Sequence, residues 1–160
     1  MNSQFDIELL VTQHKRTDFA CGNVALDNYF QKQVSQDVHR RVAKCYVAVD
    51  TTNNDIAGYY TLSASSMALP DVPEPLRKHL PRYPTVPVAL LGRFAVSQKY
   101  QGQGLGAAFL SDALERAKTS ALAAFAIIVV AKDETAKNFY LHYGFTAYGS
   151  LPLHLILGLG

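Results

Sequence analysis

The stretch Tyr100-Gln101-Gly102-Gln103-Gly104-Leu105-Gly106 constrains the fold more than any other part of this 160-residue chain. Its three glycines at alternate positions follow an apolar run, VPVALLGRFAV (86–96). After them comes a segment with Ala107, Leu110, Leu114 and Ala117 at helical spacing. A buried strand, a permissive turn and an amphipathic helix must therefore succeed one another. Backbone N–H groups in such a turn, with a helix N-terminus behind them, can converge on an anion. Taken alone, the loop is equally a tight turn. It lacks the Gly-Lys-Ser/Thr of an ATP-binding P-loop. It also follows the fourth predicted strand rather than the first, which removes the dinucleotide-binding reading.

The rest of the chain supplies a sheet around this unit. FDIELLV (5–11) alternates as a first strand, and Leu26, Phe30, Val34 and Val38 recur every four residues in a helix, continuous or broken, over about Val24–Arg41. CYVAVD (45–50) and IAGYYTLSASSMAL (56–69) form an antiparallel pair joined by the turn residues TTNND. Residues 70–87 hold six prolines and predict a long loop with a short helix at EPLRKHL. A loop of that length in a small domain is usually functional. VPVALLGRFAV, apolar on both faces, reads as a buried central strand, and AFAIIVV (124–130) as another. Asp133 predicts the N-cap and Gly144 the C-cap of a helix ending near Tyr143. FTAYG and LPLHLIL complete the sheet. The order β-α-β-β-(loop)-β-α-β-α-β-β predicts one α/β domain, 1–160, with a mixed sheet and helices on both faces.

Charge is informative through its placement. No acidic residue falls between Glu74 and Asp112, while Arg77, Lys78, His79, Arg82, Arg93 and Lys99 do. Any one basic cluster is ordinary solvated surface, but a long acid-free stretch suits a partner rich in phosphate. No apolar run is long enough to span a bilayer, and Asp6 and Glu8 stand where a secretory signal would carry positive charge. These features predict a cytoplasmic protein without membrane attachment. Cys21 and Cys45 are expected as free thiols. The five histidines have no ligand-like spacing, so no metal is expected.

Gln101-Gly102-Gln103-Gly104-Leu105-Gly106 resembles the Gln/Arg-x-x-Gly-x-Gly/Ala signature of GNAT-fold N-acetyltransferases, at every fixed position. The resemblance implies a mostly antiparallel sheet splayed between strands 4 and 5. It implies that Gln101, Gly102, Gln103, Gly104, Leu105, Gly106 and Ala107 hold the diphosphate of acetyl-CoA, the co-substrate. It also implies that the backbone of Phe94, Ala95 and Val96 pairs with the pantetheine arm. Ala136-Lys137-Asn138-Phe139-Tyr140-Leu141-His142-Tyr143-Gly144-Phe145 is similar to the family's Ala-x-x-x-Tyr-x-x-x-Gly-Phe helix. Tyr140 thereby becomes the acid that protonates the departing thiolate, and Asn138 a further cofactor contact. A phenol with a reference pKa near ~10 is suited to that donation. Phe139 and Tyr143 are expected in the core. The central strands contain no Asp or Glu to act as base. An α-amino group, with reference pKa near ~7.7, can attack without one, and esterification lowers that value further.

IAGYYTLSASS, LPRYPTVPVALLGRFAV and AKDETAKNFYLHYGF resemble more narrowly the acetyltransferase toxins of bacterial toxin–antitoxin pairs, over about Phe19 to Phe145. The resemblance implies N-acetylation of aminoacyl-tRNA and inhibition of translation. It implies a homodimer, neutralisation by a ribbon-helix-helix antitoxin, and operator DNA binding, with repression, only through their complex. By position, Arg77, Lys78, Arg82 and Arg93 are candidate tRNA contacts, although Arg93, on a central strand, is equally a buried structural cation. The rival readings are a general GNAT enzyme acting on a small-molecule or protein amine, and a binding module without turnover.

Overall fold

A computed structural model describes residues 4–160. Among the described residues seven strands form one sheet in the order β1-β2-β3-β4-β5-β7-β6. They are β1 (Phe5–Leu9), β2 (Lys44–Asp50), β3 (Ile56–Ala68), β4 (Thr85–Val96), β5 (Ala126–Val130), β6 (Thr146–Ala147) and β7 (His154–Gly158). The helices are α1 (Val24–Asn28), α2 (Val34–His39), α3 (Glu74–Arg77), α4 (Leu105–Thr119) and α5 (Glu134–His142). β1, β2 and β3 are antiparallel neighbours, as are β5, β7 and β6, while β4 runs parallel to β5. The mixed α/β sheet expected from the element order is present. The parallel register joins Val88–Leu91 to Ala126–Val129, and β4 continues beyond it to Val96.

The chain divides into two compact units. The first holds residues up to 63 together with 92–113. Its core gathers Phe19, Tyr29, Phe30, Val34, Val47, Tyr59 and Ala95. Successive strand residues point to opposite faces. Accordingly Tyr59 stacks on Phe30 at 4.3 Å, while its neighbour Tyr60 meets Phe109 of α4 edge-on at 5.3 Å. Helices thus cover both faces of this unit's strands.

Between α1 and α2 the chain forms one π-helical turn, Tyr29–Gln33, in which the Val34 N–H donates to the Tyr29 carbonyl. This explains the spacing of four in the sequence. In a pure α-helix such a stripe drifts by about 40° per step. The wider turn re-centres it, leaving Phe30 and Val34 fully buried and Leu26 and Val38 packed at the margin.

The second unit holds residues 64–91 and 114–160. Met67, Val72, Val86, Val88, Ala126, Ile128 and Ile156 fill its core, with Leu76 of α3 and Leu80 against them. Asp133 caps α5 as predicted, its carboxylate accepting from the Ala136 N–H at 2.8 Å, and Gly144 leaves the helix at φ +98°.

Two sequence expectations need correction. β4 is buried only in part: Val86, Val88, Leu91 and Ala95 are buried, but Pro87, Gly92 and Arg93 are exposed. Each face is therefore covered over only part of the strand. The buried positions of α4 are Leu105, Phe109, Leu110, Ala113 and Ala117, while Ala107 and Leu114 are only half-buried. Phe109 sets the helix rotation by filling the space beside Gly58, where an added Cβ would lie 2.5 Å from the Phe109 ring.

Candidate active site

The glycine loop occupies the junction predicted for it. After β4 a short 3-10 turn, Gln98–Tyr100, leads into it, and α4 begins at Leu105. Gly102 and Gly104 adopt φ of +80° and +81°, and nothing lies within 4 Å of where a Cβ would stand at either. The glycines are therefore required by backbone conformation, and the space above them is open. Gln101, Gly102, Gln103 and Gly104 are all exposed. The first-turn amides of α4 have no partners within the helix, and the 15-residue helix adds its positive end. These residues fit a diphosphate.

Side chains brace the loop from outside. Gln101 donates from Nε2 to the Val96 and Cys21 carbonyls, both at 2.9 Å, which makes the fixed glutamine of the motif a strut. Tyr100, nearly buried, donates its hydroxyl to Asp50 Oδ2 at 2.7 Å. Asp50 also accepts from the Thr52 N–H at 2.9 Å and the Thr52 hydroxyl at 2.7 Å. Those bonds, the Thr52 N–H foremost, hold its carboxyl down at about 2. Asn53 closes the set by donating to the Tyr100 oxygen at 3.4 Å. The loop's entry is thus tied to the β2–β3 hairpin. Sequence reading missed Asp50 and Tyr100, because their separation of fifty residues gives no local signal.

Phe94, Ala95 and Val96 lie on the part of β4 beyond its register with β5. The Ser97 N–H donates to the Ala57 carbonyl at 2.8 Å, which holds the end of this stretch against β3. The Val96 carbonyl, occupied by Gln101, is a weaker candidate for pantetheine than sequence implied.

In the second unit, Tyr140 is 4% exposed, with Phe139 and Phe145 ring centroids each at 5.3 Å. Burial raises its phenol well above the ordinary value, so it is neutral at physiological pH. Ala136, one turn earlier, is half-buried, and Asn138 is exposed. Tyr143 is not a core residue: it is 43% exposed and carries edge contacts to Phe139 and His142 at the end of α5.

The four predicted tRNA contacts differ. Lys78 and Arg82 are exposed, beside Tyr83 at 63% exposure. Arg77 is half-buried and donates to the Pro70 and Val72 carbonyls at 3.3 Å, bracing the proline-rich loop. Arg93 is not a buried cation: it is exposed, with its guanidinium 4.0 Å over the Tyr29 ring. Neither cysteine forms a disulfide among the described residues, and burial pushes the Cys45 thiol up to about 12. Among the described residues no His, Cys, Asp and Glu side chains cluster as a metal site, and no helix is long and apolar enough to cross a membrane.

A strand running past its parallel partner into a glycine loop, with an amphipathic helix behind it, defines an acyl-CoA transferase. The family model for the acetyltransferase (GNAT) domain matches residues 20–152, and the chain belongs to that family. A Mycobacterium tuberculosis protein named tRNA-acetylating toxin is 36% identical over 143 residues, covering 88% of this chain and 84% of that protein. The solved structure of AtaT complexed with acetyl-methionyl-tRNAfMet has a TM-score of 0.89 at 26% identity, over 96% of this chain and 94% of that one. AtaTR bound with AcCoA gives 0.84 at 25% identity, over 98% and 94%. The protein is an acetyl-CoA-dependent N-acetyltransferase.

Proposed function

We infer that this enzyme acetylates the α-amino group of aminoacyl-tRNA and is the toxin of a toxin–antitoxin pair. The observation that carries the reading is the likeness, along most of the chain, to a protein named for that activity. The exposed cations Lys78, Arg82 and Arg93, in a stretch without carboxylates, support an RNA partner.

In this reading the amides from Gln101 to Ala107 hold the diphosphate of acetyl-CoA. The peptide groups of Phe94, Ala95 and Val96 align the pantetheine arm and stabilise charge developing on the acyl oxygen, and Asn138 contacts the cofactor. The thioester supplies the acetyl group. Tyr140 keeps its proton and delivers it to the departing sulfur. The burial that raises the phenol also disfavours a thiolate, so the proton has reason to move. No carboxylate base is needed, because the esterified amine is largely neutral near pH 7. The pH profile follows. Activity falls on the acid side as the amine protonates, at the pKa that the ester has lowered from the free α-amino value near ~7.7, and Tyr140 gives no alkaline limb below its ordinary value near ~10.

Lys78, Arg82, Arg93 and, beyond its bracing role, Arg77 contact the tRNA. The whole chain acts as one transferase domain in the cytoplasm, as a homodimer. A ribbon-helix-helix antitoxin neutralises it, and operator DNA is reached only through that complex. The decisive experiment incubates the protein with labelled acetyl-CoA and total charged tRNA. Label on the aminoacyl group is expected; label only on small-molecule or protein amines would overturn the assignment.

A further inference from the structure

In the first unit a threonine hydroxyl stands where β4 leaves its parallel register. The last pair of that register is Leu91 with Val129, and Gly92 and Arg93 follow. The Arg93 N–H donates to Thr61 Oγ1 of β3 at 2.8 Å. Strand N–H groups ordinarily donate to main-chain carbonyls, so a side-chain acceptor is a departure from the ladder. Thr61 is 3% exposed, and a hydroxyl buried to that degree is costly unless it is bonded. Gly92 is fitted to it: an added Cβ there would stand 2.7 Å from the same oxygen. Threonine is stiff about χ1, so its oxygen does not swing aside. The Thr61 side chain thus occupies the place of a side chain at 92, and a glycine within a strand marks such an approach.

This contact decides which way the next peptide groups are aimed. Successive strand residues turn their peptide groups to alternate edges. Arg93 turns toward β3 through Thr61. The Ala95 carbonyl does the same, lying 2.7 Å from where a Cβ of Gly58 would stand. So does Ser97, whose N–H donates to the Ala57 carbonyl at 2.8 Å. Phe94 and Val96 accordingly turn to the opposite edge, where Gln101 Nε2 meets the Val96 carbonyl at 2.9 Å. The stretch is therefore anchored to β3 at both ends, by Thr61 before it and Ala57 after it. Only the Thr61 anchor is made by a side chain.

We propose that Thr61 is a positioning residue for acetyl transfer: its hydroxyl, by accepting the Arg93 N–H, fixes the tilt of β4 and aims the Phe94 and Val96 peptide groups at the acyl oxygen and pantetheine arm. Dipoles stabilise charge developing on that oxygen only when they are already oriented, and a displacement of about 1 Å is enough to lose the effect. The proposal rests on the reading above that Phe94, Ala95 and Val96 hold the acyl arm, and adds the side chain that directs them.

The test reads the thioester itself, by difference infrared spectroscopy of isotope-labelled acetyl-CoA bound to the full chain. A donor aimed at the acyl oxygen polarises the carbonyl and lowers its stretching frequency. Wild type is expected to shift the band below that of free acetyl-CoA. Thr61→Val keeps the shape and removes the acceptor. It is expected to lose at least about half of the shift and to lower kcat on charged tRNA about tenfold. The Kd for CoA, which has no acyl oxygen, should stay within about twofold of wild type. Thr61→Ser keeps the hydroxyl and restores both band and kcat. Gly92→Ala drives a methyl against the same oxygen and should diminish the shift with Thr61 intact. A full shift in folded Thr61→Val or in Gly92→Ala, or no recovery in Thr61→Ser, overturns the positioning role; melting temperatures establish which variants are folded. An unshifted band in wild type instead overturns the placement of the acyl group on β4, so the two failures are distinguishable.

Discussion

Phe19, Tyr29, Phe30 and Tyr59 dominate the core cluster of the first unit, whereas valine, isoleucine and methionine dominate the cluster around Val88 in the second, apart from the Tyr140–Phe145 pair. The difference lies in what each core can orient. An aromatic with a hydroxyl tip packs like a hydrocarbon and also fixes a polar group. Tyr59 donates to the Leu26 carbonyl, Tyr29 to Asp37, Tyr60 to Asp112 and Tyr100 to Asp50. Each bond pins a helix, hairpin or loop of that unit. The aliphatic side chains of the second cluster carry no polar tip. They support the cation-bearing loop chiefly by shape, with Arg77 bracing it through main-chain carbonyls. The lesson is that main-chain chemistry needs a rigid surround, while a surface proposed to meet RNA by charge does not.

The comparison can be broken from either side. The largest effect is expected at Tyr140, the proton donor proposed above. Tyr140→Phe should lower kcat at least about 100-fold while calorimetry finds the acetyl-CoA Kd within about twofold of wild type; unchanged turnover would remove Tyr140 from catalysis.

Two glycines then set the cores against each other. At Gly58 an added Cβ would meet the Phe109 ring at 2.5 Å and the Ala95 carbonyl at 2.7 Å, neither of which can retreat. Gly58→Ala should cost about 3 kcal/mol of stability. At Gly158 the nearest atom is Leu76 Cδ2 at 2.8 Å, the end of a flexible side chain. Gly158→Ala should cost under about 1 kcal/mol. Denaturant titration of both variants decides it, and equal losses would dissolve the contrast between rigid and yielding cores.

Gly104→Ala isolates backbone strain from clash, since no atom opposes the new methyl. It should cost about 1–2 kcal/mol through its left-handed φ and weaken acetyl-CoA binding roughly tenfold.

The smallest effect concerns the hairpin tie. Tyr100→Phe should raise KM for acetyl-CoA roughly two- to tenfold, the value of one hydrogen bond, with kcat nearly constant. Asp50 has its carboxyl lowered, so its contribution is complete above the ordinary value of 3.8 and fades only as pH falls through about 2. KM should therefore be flat from pH 5 to 9, and a step within that range would show that another group controls the loop.

Much of this molecule was legible without coordinates, because the decisive information was local. Glycines flanked by an apolar strand and an amphipathic helix dictate a turn with open amides, whatever lies around them. The Asp133 cap, the short helix in the proline-rich loop and the turn residues at 51–55 are local in the same sense. Even the fourfold spacing of Leu26, Phe30, Val34 and Val38 carried the π turn in disguise. Tertiary structure alone decided the orientation of side chains whose partners are distant in sequence. It made Gln101 a strut, joined Asp50 to Tyr100 across fifty residues, moved Tyr143 to the surface, and set Arg93 over Tyr29. Periodicity reports which way a residue points within its own element. Which atoms it then meets depends on how elements pack, and that is settled by long-range contacts no single segment encodes.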